Sequence, residues 1–179
     1  VLGLAPGRRG ANHTGLVFAG DASSRFLFQA LHHAGLASAT DPYTARLDGV
    51  RLTNALKCWP PDNRPTPAEF GRCARWLDPE LARFWRPGAR RTRVIVTLGR
   101  LAHQQLQRAL SRGYGEPVQA LGDFGHHRSQ RVHPTLEVLS SYHPSLQNVN
   151  TGRLTQSMLN AVFEQAAALS HGKPRRSPG

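Results

Sequence analysis

Hydrophobic residues in this chain gather into four short runs, Val1 to Leu4, Val50 to Leu56, Val94 to Leu98 and Leu136 to Ser140, each cut off by Gly, Pro or Asn. Runs of that length, β-branched or Leu-rich and bounded by turn residues, predict strands. Between them the apolar positions recur at helical spacing. Phe28, Leu31 and Ala34 share one face of a segment from Ser24 to Ala34. Pro79 to Trp85 and Leu101 to Leu110 continue the pattern, and Thr151 to Leu169 carries Leu154, Met158, Val162 and Ala166 in the longest such stretch. Strands alternating with helices predict a parallel sheet covered on both faces. No internal repeat is visible. The division is one domain over residues 1–170 and a basic, Pro-rich tail from His171 to Gly179, expected to be disordered. Val1 to Leu4 reads as the end of a strand already under way, so the chain is expected to be a fragment whose domain begins earlier.

In an open parallel sheet, ligands bind beyond the carboxyl ends of the strands. Here the segments that follow the four runs are Ala5-Pro6-Gly7-Arg8-Arg9-Gly10, Lys57 to Asn63, Gly99-Arg100, and Ser141-Tyr142-His143-Pro144-Ser145. Three of them hold more Gly, Pro, Asn and His than a plain connector requires, and they are where a site is expected.

Composition narrows the class of ligand. The 179 residues suit a single domain with a sizeable core. The hydrophobic fraction of 39% enters the ordinary globular range once glycine is counted, which excludes disorder for the bulk of the chain. No apolar run approaches the ~20 residues that span a bilayer. Two cysteines cannot staple a disulfide-dense scaffold and fit a reducing cytoplasm. Against 11 acidic residues stand 23 basic ones, a formal charge of +12. An anionic partner follows, nucleic acid before membrane, because the basic residues are scattered and not gathered on one amphipathic helix. All but Lys57 and Lys173 are arginine, which suits planar phosphate contacts as well as a GC-rich genome.

Glycines in the first loop let backbone approach a ligand closely, and Arg8 and Arg9 add charge, but no P-loop or dinucleotide fingerprint is present. Phe18 suits a core position as well as a stacking platform. Asp21 precedes a helix and suits an N-cap as well as a site carboxylate. Asn54 and Asn63 offer an acceptor and donors in one plane, the chemistry that reads a nucleobase edge. For Asn63, beside prolines, turn formation is the competing explanation. His143 at a strand end can stabilise a developing anion or move a proton, and three other loops converge on its position. His126, His127 and His133 lack the spacing and flanking ligands of a zinc site.

Together these blocks resemble the family 5 uracil-DNA glycosylases of the UdgB type. Gly3-Leu4-Ala5-Pro6-Gly7, Gly10 to Gly15 and Phe18-Ala19-Gly20-Asp21 resemble the first family motif. Thr53 to Asn63, followed by Pro67, Glu69 and Cys73, resembles the second, and Ser141 to Ser145 with Asn148, Thr151 and Gly152 the third. The blocks stand in family order and cover positions 2 to about 160. The resemblance implies a three-layer α/β/α sandwich with a central four-stranded parallel sheet, acting as a monomer on single- or double-stranded DNA, prokaryotic and cytoplasmic, with no membrane partner. It implies hydrolysis of the glycosidic bond of uracil and of other deaminated bases. Asn54 would read the uracil edge and Phe18 would stack on it, with Gly3, Ala5, Pro6 and Asn12 completing the base pocket. His143 would stabilise the leaving base, and the segment Ser145, Leu146, Gln147 and Asn148 would meet DNA through the minor groove. Leu4 stands where most branches of the superfamily carry an acidic or polar residue, which leaves Asp21 to position water, with Asn63 and Asn12 assisting.

The same resemblance makes Cys58 and Cys73 two of the four thiolates on a [4Fe–4S] cluster, the other two being expected upstream of Val1. Read alone, two cysteines with fourteen residues between them are reduced core residues more often than ligands. A lyase step is disfavoured, since the only amines for a Schiff base are Lys57 and Lys173. The reading of another class is a DNA-binding or damage-sensing module that keeps the fold without the chemistry. A basic structural protein holding DNA by phosphate charge alone would require the motifs to be coincidental.

Overall fold

Alternation along the strands sets the layers. The computed structural model describes residues 1–85, 91–113 and 118–170; the expected tail from 171 onward, with Lys173, lies outside them. Five strands, β1 (Leu2–Gly3), β2 (Thr53–Asn54), β3 (Arg93–Leu98), β4 (Arg128–His133) and β5 (Leu136–Ser141), form one sheet in the order β2-β1-β3-β5-β4. Along β3, Val94, Val96 and Leu98 face one side and Ile95 the other, and along β5 Leu139 opposes Leu136 and Val138. With period 2, each strand thus feeds two cores.

The first core lies beneath α2 (Ala22–His33) and α6 (Gln156–Ser170), where Leu27, Phe28, Leu31, Leu159, Val162 and Phe163 meet Val96, Leu98 and Leu139. The second lies beneath α3 (Pro67–Phe84) and α4 (Arg100–Ser111), where Leu77, Leu81, Ala102 and Leu106 meet Ile95, Leu136 and Val138. This is the expected three-layer α/β/α sandwich. The four expected strands are mutually parallel. A fifth, β4, pairs antiparallel with β5 at the edge. Its sequence, Arg-Ser-Gln-Arg-Val-His, is polar because an edge strand has one neighbour and gains from charges that discourage further pairing.

Two helix starts differ from the pattern reading. The helix expected from Pro79 begins at Pro67, on a capping box in which Thr66 Oγ1 accepts from the Glu69 N–H and Glu69 Oε2 accepts from the Thr66 N–H. Proline in the first turn and a reciprocal cap together nucleate a helix twelve residues earlier than the apolar stripe shows. The helix expected from Thr151 begins only at Gln156, as α6, after a turn that separates it from a short α5 (Leu146–Asn150); at its start Thr155 Oγ1 accepts from the Met158 N–H at 3.2 Å. Leu154 is still fully buried, in the turn. A further short helix, α1 (Ala11–Thr14), follows the first loop.

Candidate active site

Chain crossover places β1 between β2 and β3, so the loops leaving β1 and β2 face those leaving β3 and β5. Between them opens a cleft of about 560 Å³ beyond the carboxyl ends of the strands. Its walls come from all three sequence blocks: Leu4 to Gly7 after β1, Asn54, Pro60 and Asn63 on and after β2, and His143 with Ser145 to Gln147 after β5. Phe18, Asp21 and Ser23 close the remaining side.

Asn54 ends β2 and is only 6% exposed. Its Oδ1 is one of two buried side-chain polar atoms without a hydrogen-bond partner among the described residues. It lies against Gly3, the residue opposite it in the β1–β2 register. Phe18 packs against the same glycine, buried, with φ at 56°, a left-handed conformation that a bulky residue holds only when its surroundings impose it. Gly3 therefore does not line the cleft but lets its two walls meet.

Asp21 both caps a helix and lines the cleft. It is the N-cap of α2, its Oδ1 accepting from the Ser24 N–H at 3.0 Å. Its Oδ2 lies against the Gly7–Gly10 turn at the cleft, and a Cβ on Gly10 would stand 2.8 Å from it. One carboxylate oxygen is thus fixed by the helix, and the other lies against the turn that borders the cleft.

His143 follows β5 and is half-buried. Its carbonyl accepts from Asn148 Nδ2 and from the Ser145 N–H, both at 2.8 Å, while neither ring nitrogen has a hydrogen-bond partner among the described residues. Burial pushes the imidazole below its ordinary pKa, and the Asp21 carboxylate offsets only part of that shift. Asn148 therefore braces the His143 loop from behind and is not itself on the cleft. Ser145 caps α5 through the Asn148 N–H, and Leu146 is 56% exposed at the rim.

Asn63 is on the cleft, exposed and left-handed at φ 54°. Its Oδ1 accepts from Trp59 Nε1 at 2.9 Å, and the Trp59 ring carries the Arg8 guanidinium 5.5 Å from its centroid. Sequence reading passed over Trp59, which ties the first loop to the second. Asn12 sits exposed on α1 and is not brought to the cleft.

Lys57 was also undervalued. All three of its donors are engaged, to Thr53 Oγ1, the Asn54 carbonyl and Glu80 Oε2, at 2.8, 2.8 and 2.7 Å. Burial would raise the Glu80 carboxyl, but hydrogen bonds from Lys57 and Thr53, with the charges of Lys57 and Arg51, hold it below its ordinary value. An ammonium so enclosed is a strut for β2, not a free nucleophile. Nothing short of the fold could reveal it, because Glu80 arrives from α3.

Cys58 is exposed, Cys73 is half-buried on α3, and both are free thiols. Among the described residues no three His, Cys, Asp or Glu side chains converge on a metal position. The two cysteines of the chain therefore do not by themselves complete a four-thiolate set. No described helix is long and apolar enough to cross a membrane.

Residues 1–167 match the model of the uracil DNA glycosylase superfamily. A Type-5 uracil-DNA glycosylase of Mycobacterium tuberculosis is 41% identical over 174 residues, 95% of this chain and 62% of the relative. One from Thermus thermophilus is 42% identical over 95% of this chain and 74% of its own length. A Type-4 uracil-DNA glycosylase of Archaeoglobus fulgidus is 32% identical over 80% of this chain and 63% of the relative. The chain thus spans about 62% of the length of the Mycobacterium tuberculosis relative.

Proposed function

This chain belongs to the type-5 branch of the uracil DNA glycosylase superfamily, and from that premise we propose that it hydrolyses the N-glycosidic bond of uracil in DNA and leaves an intact abasic site. The observation that carries the proposal is Asn54 Oδ1, a buried acceptor without a partner on a cleft shared with Phe18, Asp21 and His143. Leaving such a group unpaired costs about 1–3 kcal/mol, which a ligand N–H recovers. Uracil presents an N–H between two carbonyls, and a carboxamide matches that edge with one acceptor and adjacent donors. Other deaminated bases that present an N–H beside a carbonyl meet the same pairing.

A base inside a duplex must be flipped out before its glycosidic bond can be reached. Phe18 then stacks on the extruded ring. Leu146, exposed on the segment that carries Ser145, Gln147 and the bracing Asn148, enters the gap in the minor groove. The +12 charge supplies the grip on single- or double-stranded DNA, weakening as salt rises. As the bond breaks, its electron pair leaves with the uracil nitrogen and positive charge grows on the sugar. His143, neutral by burial, donates an N–H to a uracil carbonyl where that negative charge collects. Asp21 Oδ2 holds the attacking water and faces the sugar cation, and the amide donors of Asn63 steady the water. With Lys57 enclosed, the amine beside the cleft is not available for a Schiff base, in keeping with a strand that stays whole.

A uracil-containing duplex incubated with the protein and then treated with alkali is expected to break at uracil, and without alkali to remain intact. Asp21→Ala should lose most turnover while still binding that duplex; unchanged single-turnover cleavage would remove Asp21 from the mechanism. Tight binding indifferent to uracil, with no breaks, would make the chain a DNA-binding module.

Cys58 and Cys73 we assign as two of the four thiolates of a [4Fe–4S] cluster in a prokaryotic, cytoplasmic protein; the remaining ligands are not cysteines of these 179 residues. Two free soft thiols support this, and no catalytic step depends on it. Full-length protein should carry about four iron atoms per chain and lose them on Cys58→Ser or Cys73→Ser. Iron-free full-length protein would overturn the assignment.

A further inference from the structure

The loop Gly125-His126-His127, left over from both the metal and the cleft readings, backs the His143 loop. β4 and β5 pair Arg128 with Ser140 and Ser129 with Leu139. Two residues further in that register, His126 stands opposite Tyr142. The ladder has ended there, and His126 replaces its missing backbone acceptor with its ring: Nδ1 accepts the Tyr142 N–H at 3.3 Å. Directly opposed residues bring their side chains together, and the two rings stack at 4.9 Å and 15°. Tyr142 also carries the Arg153 guanidinium, 4.6 Å from its centroid. Ser140 Oγ pins the same loop by donating to the Gly125 carbonyl at 2.6 Å.

We propose that His126 is a positioning residue for His143: its imidazole, as a hydrogen-bond acceptor, fixes the Tyr142 backbone and ring, and through them the adjoining His143. The inference rests on the glycosylase reading for its consequence in catalysis and on the geometry alone for the contact.

Only an unprotonated Nδ1 can accept, so an imidazolium sets two donors against each other at Tyr142. The groups that face His126 are His127 from its own loop, with ring centroids 6.1 Å apart, Ser141 Oγ at 3.4 Å and Tyr142 from the end of β5, and Arg153 over the Tyr142 ring. None of these brings a negative charge to stabilise the imidazolium. Burial, with His127 adding to it, keeps the pKa of His126 below the ordinary imidazole value. The contact is therefore whole at neutral pH and is lost as pH falls through that depressed value.

Two variants separate acceptor from bulk. His126→Phe keeps the stack and removes the acceptor; His126→Asn places an oxygen near the position of Nδ1 and cannot titrate. At neutral pH, His126→Phe should slow single-turnover uracil excision roughly tenfold, the effect of one hydrogen bond, with affinity for the duplex unchanged. His126→Asn should restore most of the rate and show a shallower acid limb in its pH profile. A His126→Phe rate equal to the unsubstituted protein, or a His126→Asn rate as low as that of His126→Phe, overturns the proposal. Nitrogen-15 NMR of the full chain supplies a readout independent of activity. It should find His126 protonated at Nε2 alone at neutral pH, and the Tyr142 amide shifting as His126 titrates. A proton on Nδ1 at neutral pH overturns the contact. A protein that fails to excise uracil yet shows this tautomer and this titration overturns the functional reading and leaves the contact in place.

Discussion

His143→Ala is expected to slow uracil excision by about 10²–10³-fold, the usual cost of removing a donor aimed at charge that develops in the transition state. The loop does not depend on the ring for its shape, because Asn148 and Ser145 hold the His143 carbonyl and Gly99 packs closely enough that an added Cβ would lie 3.2 Å from that of His143. What is lost is therefore the imidazole alone. An interaction made only as the bond breaks affects turnover and not binding, so affinity for a uracil duplex should stay nearly constant. His143→Gln, which keeps amide donors, should retain more of the rate than His143→Ala. Single-turnover cleavage under saturating enzyme measures both. A rate for His143→Ala within about threefold of the unsubstituted protein would place the catalytic donor elsewhere.

Both the parallel sheet and most of the cleft were legible because the same signal marks them. An apolar run that stops at Gly, Pro, Asn or His marks the end of a buried strand, and the ends of parallel strands are where this architecture binds. Asn54 and His143 follow from that rule, while Phe18 and Asp21 close the long loop that leaves β1. β4 did not, since its alternation is masked by the arginines that protect an edge. Neither did the start of α3, where a capping box at Thr66 outweighs the absence of an apolar stripe. The supports of the site were the least visible. Lys57 meets Glu80 across twenty-three residues, and His126 meets Tyr142 across sixteen. Such pairs carry no local periodicity: the packing of α3 brings the first together and the register of β4 and β5 the second. Asn12 errs in the other direction, a motif residue that the turn into α1 leaves in solvent.

Gly3→Ala should be as damaging as the loss of a catalytic group although it adds one methyl group to a residue that lines nothing. A Cβ there would overlap Asn54 Oδ1 and come within 2.5 Å of Phe18 Cζ. The backbone cannot retreat, because β1 is held on one side by β2, with the Ala55 N–H donating to the Gly3 carbonyl at 3.0 Å, and on the other by β3. The two side chains must then move, and both are buried walls of the cleft. Overpacking of this kind costs about 1–3 kcal/mol of stability. Displacing a base-reading group by about 1 Å costs on the order of 100-fold in rate. Gly71→Ala supplies the control: nothing lies within 4 Å of its Cβ position on the exposed face of α3, so it should leave excision unchanged and stabilise the helix by about 0.8–1 kcal/mol. Thermal unfolding and single-turnover excision of both variants test the pair. Gly3→Ala excising uracil at the unsubstituted rate would mean that the contact of Asn54 and Phe18 over Gly3 does not shape the base pocket.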